Sequence, residues 1–277
     1  MPELPEVETM VRGVRQHCEN RRLTAVEFCP CPRQPIPVFP DRDSFGQLHG
    51  TEIQTVGRLG KRVLLNLNSG DVIVIEPRMT GLLLVSAPPT ELHLRLILHL
   101  QPVAGLAAQV RFWDRRGLGT VSLLNAARMQ ALRDRLGPDA LEMTTSEWKQ
   151  RLSRTSRPIK VALLEQSLVA GIGNLYASEI LHLAGIAPGR RADRVRGRQL
   201  QAMDEAVRQV LQTAIRYEGS TLNDGTYRNA LNQDGGYQNH HRVYDREGDL
   251  CPTCGLASIR RIVQAQRSTF YCPKCQR

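Results

Sequence analysis

Two CxxC pairs close the chain, CPTC at 251–254 and CPKC at 272–275, and they restrict its end more tightly than any other feature. The 17 residues between them, 255–271, hold two strand-like runs, SIRRIVQA and STFYC. Two such cysteine turns facing each other across a short hairpin present four thiolates tetrahedrally, the arrangement Zn²⁺ takes. Cys251, Cys254, Cys272 and Cys275 are therefore the expected ligands of one zinc ion in a ribbon hairpin. Four thiolates leave no open position for water, so the expected role is structural. Arg260, Arg261 and Arg267 on the hairpin suit phosphate contact, or a solvated charged face.

Charge points the same way. Lys and Arg number 37 against 27 Asp and Glu, a formal net charge of +10, which draws a chain toward polyanions or marks an ordinary soluble basic protein. No stretch reads as a membrane span: LRLILHL, near residue 94, falls well short of the roughly 20 apolar residues required. The N-terminus has no basic-then-apolar leader. Paired CxxC turns, with Cys18, Cys29 and Cys31 unpatterned, predict a cytoplasmic protein that binds metal rather than forming disulfides.

Apolar runs divided by Gly and Pro fill residues 1–130. VLLNLNSGDVIVIEP places two strand-like runs around a hairpin signal at Asn68–Asp71, and ELHLRLIL and FWDRRGLGTVSLL continue the pattern. An antiparallel β-sandwich preceded by one helix is expected. Residues 131–225 turn helical, through SEWKQRLSRTS, PIKVALLEQSLVAG, NLYASEILHLAG and GRQLQAMDEAVRQVLQTAIRYEG. A Gly- and Asn-rich loop or linker, 226–242, then leads to the zinc finger at 243–277. The expected class is α+β.

The first helix begins in MPELPEVE. Pro5 suits the first turn, Glu6 and Glu8 complement the positive helix end, and Val7, Met10, Val11 and Val14 form an apolar stripe. Pro2 and Glu3 then sit just before the helix. Removal of Met1 makes Pro2 a secondary amine able to attack carbon and form an iminium, with an α-amino pKa of about 7.7–8.0. Glu3 is the adjacent acid able to donate a proton. A stiff helix lead-in with two prolines is the plainer reading of the same residues. GIGN, 171–174, permits a tight turn, with Asn174 capping the next helix; this is either an anion-binding corner or an ordinary helix–turn–helix.

MPELPEVET, GIGNLYASE and AQRSTFYCPKCQ together resemble the formamidopyrimidine-DNA glycosylases of the formamidopyrimidine/endonuclease VIII superfamily, over essentially the whole chain. The resemblance implies a monomeric enzyme of base excision repair. It would remove 8-oxoguanine and formamidopyrimidines from double-stranded DNA, then nick the abasic strand by β,δ-elimination. It implies a Schiff base on Pro2, proton donation by Glu3, support from Glu6, and assistance to elimination from Lys61 in GRLGKRVLL and Arg267. Asn174 would hold the flanking phosphate within a helix–two-turn–helix, and Lys160 in PIKVALLEQ would be a weak DNA contact or a surface lysine. Met79 and Arg116 would fill the hole left by the everted base, with Leu118 where the family has Phe. His93 would contact DNA or pack; the family's other histidine is Glu91 here. The segment GSTLNDGTYRNALNQDGGYQNHH falls where the family has a mobile lid over the flipped base. Repair of oxidised pyrimidines, or DNA binding without catalysis, are the alternative functions.

Overall fold

A computed structural model describes residues 2–31, 35–222 and 225–277. The chain forms two compact units, Met1–Asp134 with Ile215–Gln238, and Arg135–Ala214 with Asn239–Arg277.

The first unit opens with α1 (Leu4–Cys18), whose buried residues Leu4, Val7, Met10, Val11, Val14 and Cys18 recur at helical spacing. Nine strands follow: β1 (Arg21–Phe28), β2 (Val38–Phe39), β3 (Glu52–Leu59), β4 (Arg62–Leu67), β5 (Val72–Glu76), β6 (Gly81–Leu84), β7 (Leu94–Leu100), β8 (Gln109–Asp114) and β9 (Thr120–Leu124). A short helix, α2 (Asp43–Gly46), precedes β3, and α3 (Ala126–Asp134) follows β9. The strand order is β2-β9-β5-β4-β3-β1-β7-β8-β6. β1 pairs with β3 at Arg21 and Arg22, then with β7 from Leu23 to Phe28, so one strand passes from one half to the other. Ile53, Val63, Leu65 and Ile75 from one half share a single core with Leu82, Leu96, Leu98 and Phe112 from the other, and with Val7 and Met10 of α1. That is the expected sandwich, with the β4–β5 hairpin turning at Asn68–Asp71.

Two details depart from the sequence reading. β2 runs parallel to β9, because this two-residue strand lies along an edge instead of continuing a hairpin. α3 was not expected: Met129 is its one buried residue, too little to mark an apolar stripe.

The segment 226–238 was expected as part of a free loop; in the structure it is anchored. Tyr227 and Ala230 belong to the sandwich core. Val85 N donates to Ala230 O at 2.9 Å, and the Thr221 hydroxyl donates to Tyr227 O at 2.7 Å while accepting from Gly235 N at 2.9 Å. Asn229 Nδ2 donates to Glu218 Oε2 at 2.7 Å, and Asn229 Oδ1 accepts from Leu231 and Gln233. Asn223 and Asp224 of the expected lid lie outside the described residues. Gly219, at φ +79°, turns the chain beneath α1; a Cβ there would stand 2.9 Å from Glu6 Oε1 and from the Tyr227 ring. Gly219→Ala is therefore expected to cost about 2 kcal/mol through left-handed strain and overpacking. A denaturant midpoint equal to that of the unmodified protein would contradict this.

The second unit contains α4 (Thr145–Leu152), α5 (Ile159–Leu163), α6 (Asn174–Leu183) and all but the last two residues of α7 (Arg198–Arg216). Thr144 and Glu147 form a reciprocal capping box at the start of α4. α7 buries Leu200, Met203, Val207, Val210, Leu211 and Ala214, one helical face. The long helix expected across PIKVALLEQSLVAG is only α5. Beyond it, Gln166 closes a loop by donating to Leu164 O and Ile172 O and accepting from Gly171 N. β10 (Arg260–Gln264) and β11 (Arg267–Tyr271) form the expected hairpin, with a small core of Val243, Ile259 and Phe270.

Candidate functional site

At the start of α1, Pro2 is buried, and Glu3 and Glu6 are each only 3% exposed. Glu6 Oε2 accepts from Glu3 N at 2.9 Å, and Glu6 Oε1 accepts from Ser220 N at 3.0 Å. One buried carboxylate thus ties the terminal backbone to the returning segment. The Tyr227 hydroxyl donates to Glu218 O at 3.0 Å; burial and the Glu6 charge push this phenol well above its usual range, so it stays protonated.

Lys61 occupies the two-residue Gly60-Lys61 turn between β3 and β4, half-buried. Arg58 connects this turn to α1. It donates from Nη1 to Gly60 O and from Nε to Glu8 Oε2, both at 3.0 Å. Burial pushes the Glu8 carboxyl up, but hydrogen bonds from Arg12 and Arg58 and their charges outweigh it and hold it below the usual carboxylate range. Sequence reasoning treated Glu8 only as a helix-end charge and missed Arg58, whose partner lies 50 positions away.

Met79, Arg116 and Leu118 are exposed, on the turn before β6 and the connection between β8 and β9. A buried carboxylate, also missed, joins the two loops. Asp114 accepts the Thr80 hydroxyl and Arg116 N at Oδ1, and Gly119 N at Oδ2. Thr80 Oγ1 in turn accepts from Arg116 N at 2.9 Å. Arg95, 2% exposed, donates twice to Asp114 O. His93 packs edge-on against Trp113, ring centroids 5.6 Å apart.

In the second unit the structure corrects the reading of Lys160. It is not the surface lysine that was one of its two readings: its exposure is 0%. Its ammonium donates to Asn174 Oδ1 at 2.6 Å, Thr269 Oγ1 at 2.7 Å and Ser268 O at 3.0 Å. Asn174 Nδ2 also donates to Ser268 O, at 3.0 Å, and Ser268 directly follows Arg267. Lys160 is thus the hub that draws the start of α6 and the start of β11 together. Asn174 does not cap α6: Gly173 is the N-cap, and the Asn174 amide is committed to Lys160 and β11.

The Sγ atoms of Cys251, Cys254, Cys272 and Cys275 all lie within 4.8 Å of one another. Cys251–Cys275 and Cys254–Cys272 are each separated by 3.8 Å. A tetrahedron with metal–sulfur bonds of about 2.3 Å has edges of about 3.8 Å, so the four sulfurs fit Zn²⁺. When bound, the ion supplies a structural cross-link between the two cysteine turns. Backbone N–H groups of Leu256 and Ala257 turn toward Cys254, and Cys275 N donates to Cys272 Sγ at 3.4 Å, a donor pattern suited to thiolates. Cys18, by contrast, lies in the sandwich core, its thiol pushed up to about 12 by burial. Among the described residues no helix is long and apolar enough to cross a membrane.

The two units define a sandwich-plus-ribbon architecture, and known proteins match it along its length. Residues 1–121 match the formamidopyrimidine-DNA glycosylase N-terminal domain, 136–226 the H2TH domain of the same enzymes, and 248–277 the zinc finger found in FPG and IleRS. The chain belongs to the formamidopyrimidine-DNA glycosylase family. A formamidopyrimidine-DNA glycosylase of Chloroflexus aggregans is 40% identical over 100% of this chain and 98% of its own, and one from Herpetosiphon aurantiacus 38% identical over 100% of both. The MutM (Fpg) crystal structure from Thermus thermophilus superposes with a TM-score of 0.85 at 34% identity, covering 99% of this chain and 98% of that one. A MutM complex with DNA containing carbocyclic 8-oxo-G matches with a TM-score of 0.83 at 29% identity, covering 100% of both chains.

Proposed function

We propose that this protein is a bifunctional DNA glycosylase and abasic-site lyase of base excision repair, acting on oxidised purines in double-stranded DNA. The observation that carries the reading is the buried Pro2-Glu3 start of α1, locked by Glu6, in a chain that matches the family throughout. Two buried carboxylates beside a processed proline are costly for folding alone and suit nucleophilic catalysis.

The Pro2 nitrogen forms a bond to C1′ as the C1′–base bond breaks, and the base leaves with a proton. Glu3 protonates the ring oxygen, the sugar opens, and loss of the nitrogen's proton gives the iminium. Removal of a C2′ proton then expels the 3′ phosphate, and a second elimination expels the 5′ phosphate. Lys61 and Arg267 assist these eliminations. The target nucleotide leaves the stack to reach Pro2, and Met79, Arg116 and Leu118 fill the space behind it. Asn174 and Arg267 grip the flanking phosphates. The first unit is then the catalytic one, the second holds DNA, and the protein acts as a cytoplasmic monomer.

Borohydride trapping on duplexes carrying 8-oxoguanine, formamidopyrimidine or thymine glycol tests this. Covalent capture on the two purine lesions, with weaker capture on thymine glycol, is the expected result. Capture confined to thymine glycol would transfer the protein to pyrimidine repair, and no capture on any duplex would leave only a DNA binder.

A further inference from the structure

His182, in the last turn of α6, has no assigned role in the chemistry above, yet it is 3% exposed and points at the metal centre. Its Nε2 lies 3.4 Å from Cys251 Sγ. Its Nδ1 is buried without a hydrogen-bond partner among the described residues. A neutral imidazole carries one N–H and one bare nitrogen. A proton on Nδ1 would bury an unpaired donor and set two lone pairs, on Nε2 and sulfur, against each other. A proton on Nε2 pairs the donor and leaves only a bare acceptor, the cheaper arrangement.

We infer that His182 donates an Nε2–H···S hydrogen bond to the Cys251 thiolate and is an outer-shell residue of the zinc centre. Four thiolates around a dication leave excess negative charge in a small, largely apolar core. A hydrogen bond to sulfur withdraws part of that charge and disfavours protonation and loss of the ligand. Cys254 and Cys272 take backbone donors from their own turns. Cys251 takes a side-chain donor from a helix 69 positions away in sequence.

α6 holds the stem of the ribbon a second time. The Glu179 carboxylate, fully buried, accepts from Arg242 N at 2.9 Å, Val243 N at 3.0 Å and Tyr244 N at 2.8 Å. His182 lies three residues further along the same helix, so α6 grips both the backbone entering the ribbon and its first cysteine. The helix that carries Asn174 at its start therefore also governs how firmly the metal is kept.

The test uses the full-length zinc-loaded protein and two variants. His182→Phe keeps the ring and its volume but has no donor; His182→Gln places an amide N–H near the position of Nε2. Zinc transfer to the chromophoric chelator 4-(2-pyridylazo)resorcinol is timed, and the thiolate-to-metal charge-transfer band of the Co²⁺-substituted proteins is recorded. His182→Phe should release zinc about tenfold faster and move the band to longer wavelength, with His182→Gln close to the unmodified protein on both counts. Equal release rates and an unmoved band in His182→Phe would overturn the inference. So would a His182→Gln variant as impaired as His182→Phe, because ring packing rather than a donor would then be responsible. Should His182→Phe fail to fold, the His182→Gln measurements decide alone, since a packing role would not leave its band in place.

Discussion

Pro2→Gly abolishes borohydride-trappable complex on oxidised duplex DNA while leaving the fold intact. The fold should survive because Pro2 precedes the helix: α1 begins at Leu4, is capped at Glu3 and is held by the stripe from Leu4 to Cys18. Chemistry should not survive, because glycine replaces a constrained secondary amine with a primary one on a mobile backbone, and covalent catalysis needs the attacking nitrogen held in line. Glu3→Gln keeps shape and removes the proton donor, and should slow base release by roughly 100- to 10,000-fold. Both variants should bind DNA and unfold near the midpoint of the unmodified protein. The proposed nucleophile exists only once Met1, which lies outside the described residues, has been removed. Mass spectrometry of active protein should therefore find residue 2 at the terminus. Normal strand cutting by protein that retains Met1, or undiminished capture by Pro2→Gly, would refute the covalent mechanism.

Lys160→Met carries the second large effect. Methionine matches the length and fills the space, but Asn174 Oδ1 and buried Thr269 Oγ1 lose the ammonium donor, and Ser268 O keeps only Asn174 Nδ2. Stability should fall by about 3 kcal/mol. DNA affinity should fall by about 100-fold, because α6 and β11 no longer fix Asn174 and Arg267 relative to each other. The salt dependence separates this role from direct contact. A lysine on a phosphate contributes about one unit to the slope of log K against log salt, whereas a buried positioning lysine contributes none. The variant should bind weakly with an unchanged slope; a slope reduced by about one would point to the direct DNA contact that the resemblance implies, and unchanged affinity would show that Lys160 has no part in binding.

The elements legible in the sequence were those whose cause is local. Four cysteines in two tight turns have few arrangements open to them, and the metal centre follows from spacing. Short, nearly continuous apolar runs on either side of Asn68–Asp71 specify a hairpin because each is strand-length and the turn residues between them break the run. The stripe of α1 follows the helical period, and the charged residues at its start could be placed with it. The opening motif and GIGN could be singled out because each is a short run of adjacent residues.

Tertiary structure alone decided which polar groups would be buried and what they would hold. Lys160 reads as a surface residue until residues 108 and 109 positions later close over it. Asp114 looks like one more loop acid, yet with Thr80 it binds together the two loops that carry Met79 and Arg116. A Gly- and Asn-rich stretch has the composition of a free loop, but Tyr227 and Ala230 enter the sandwich core and Ser220 binds Glu6. Local sequence sets backbone preference and amphipathic period. Burial of a charge or an amide is stabilising only where distant chain supplies its partners, and the completed fold alone brings those partners into reach.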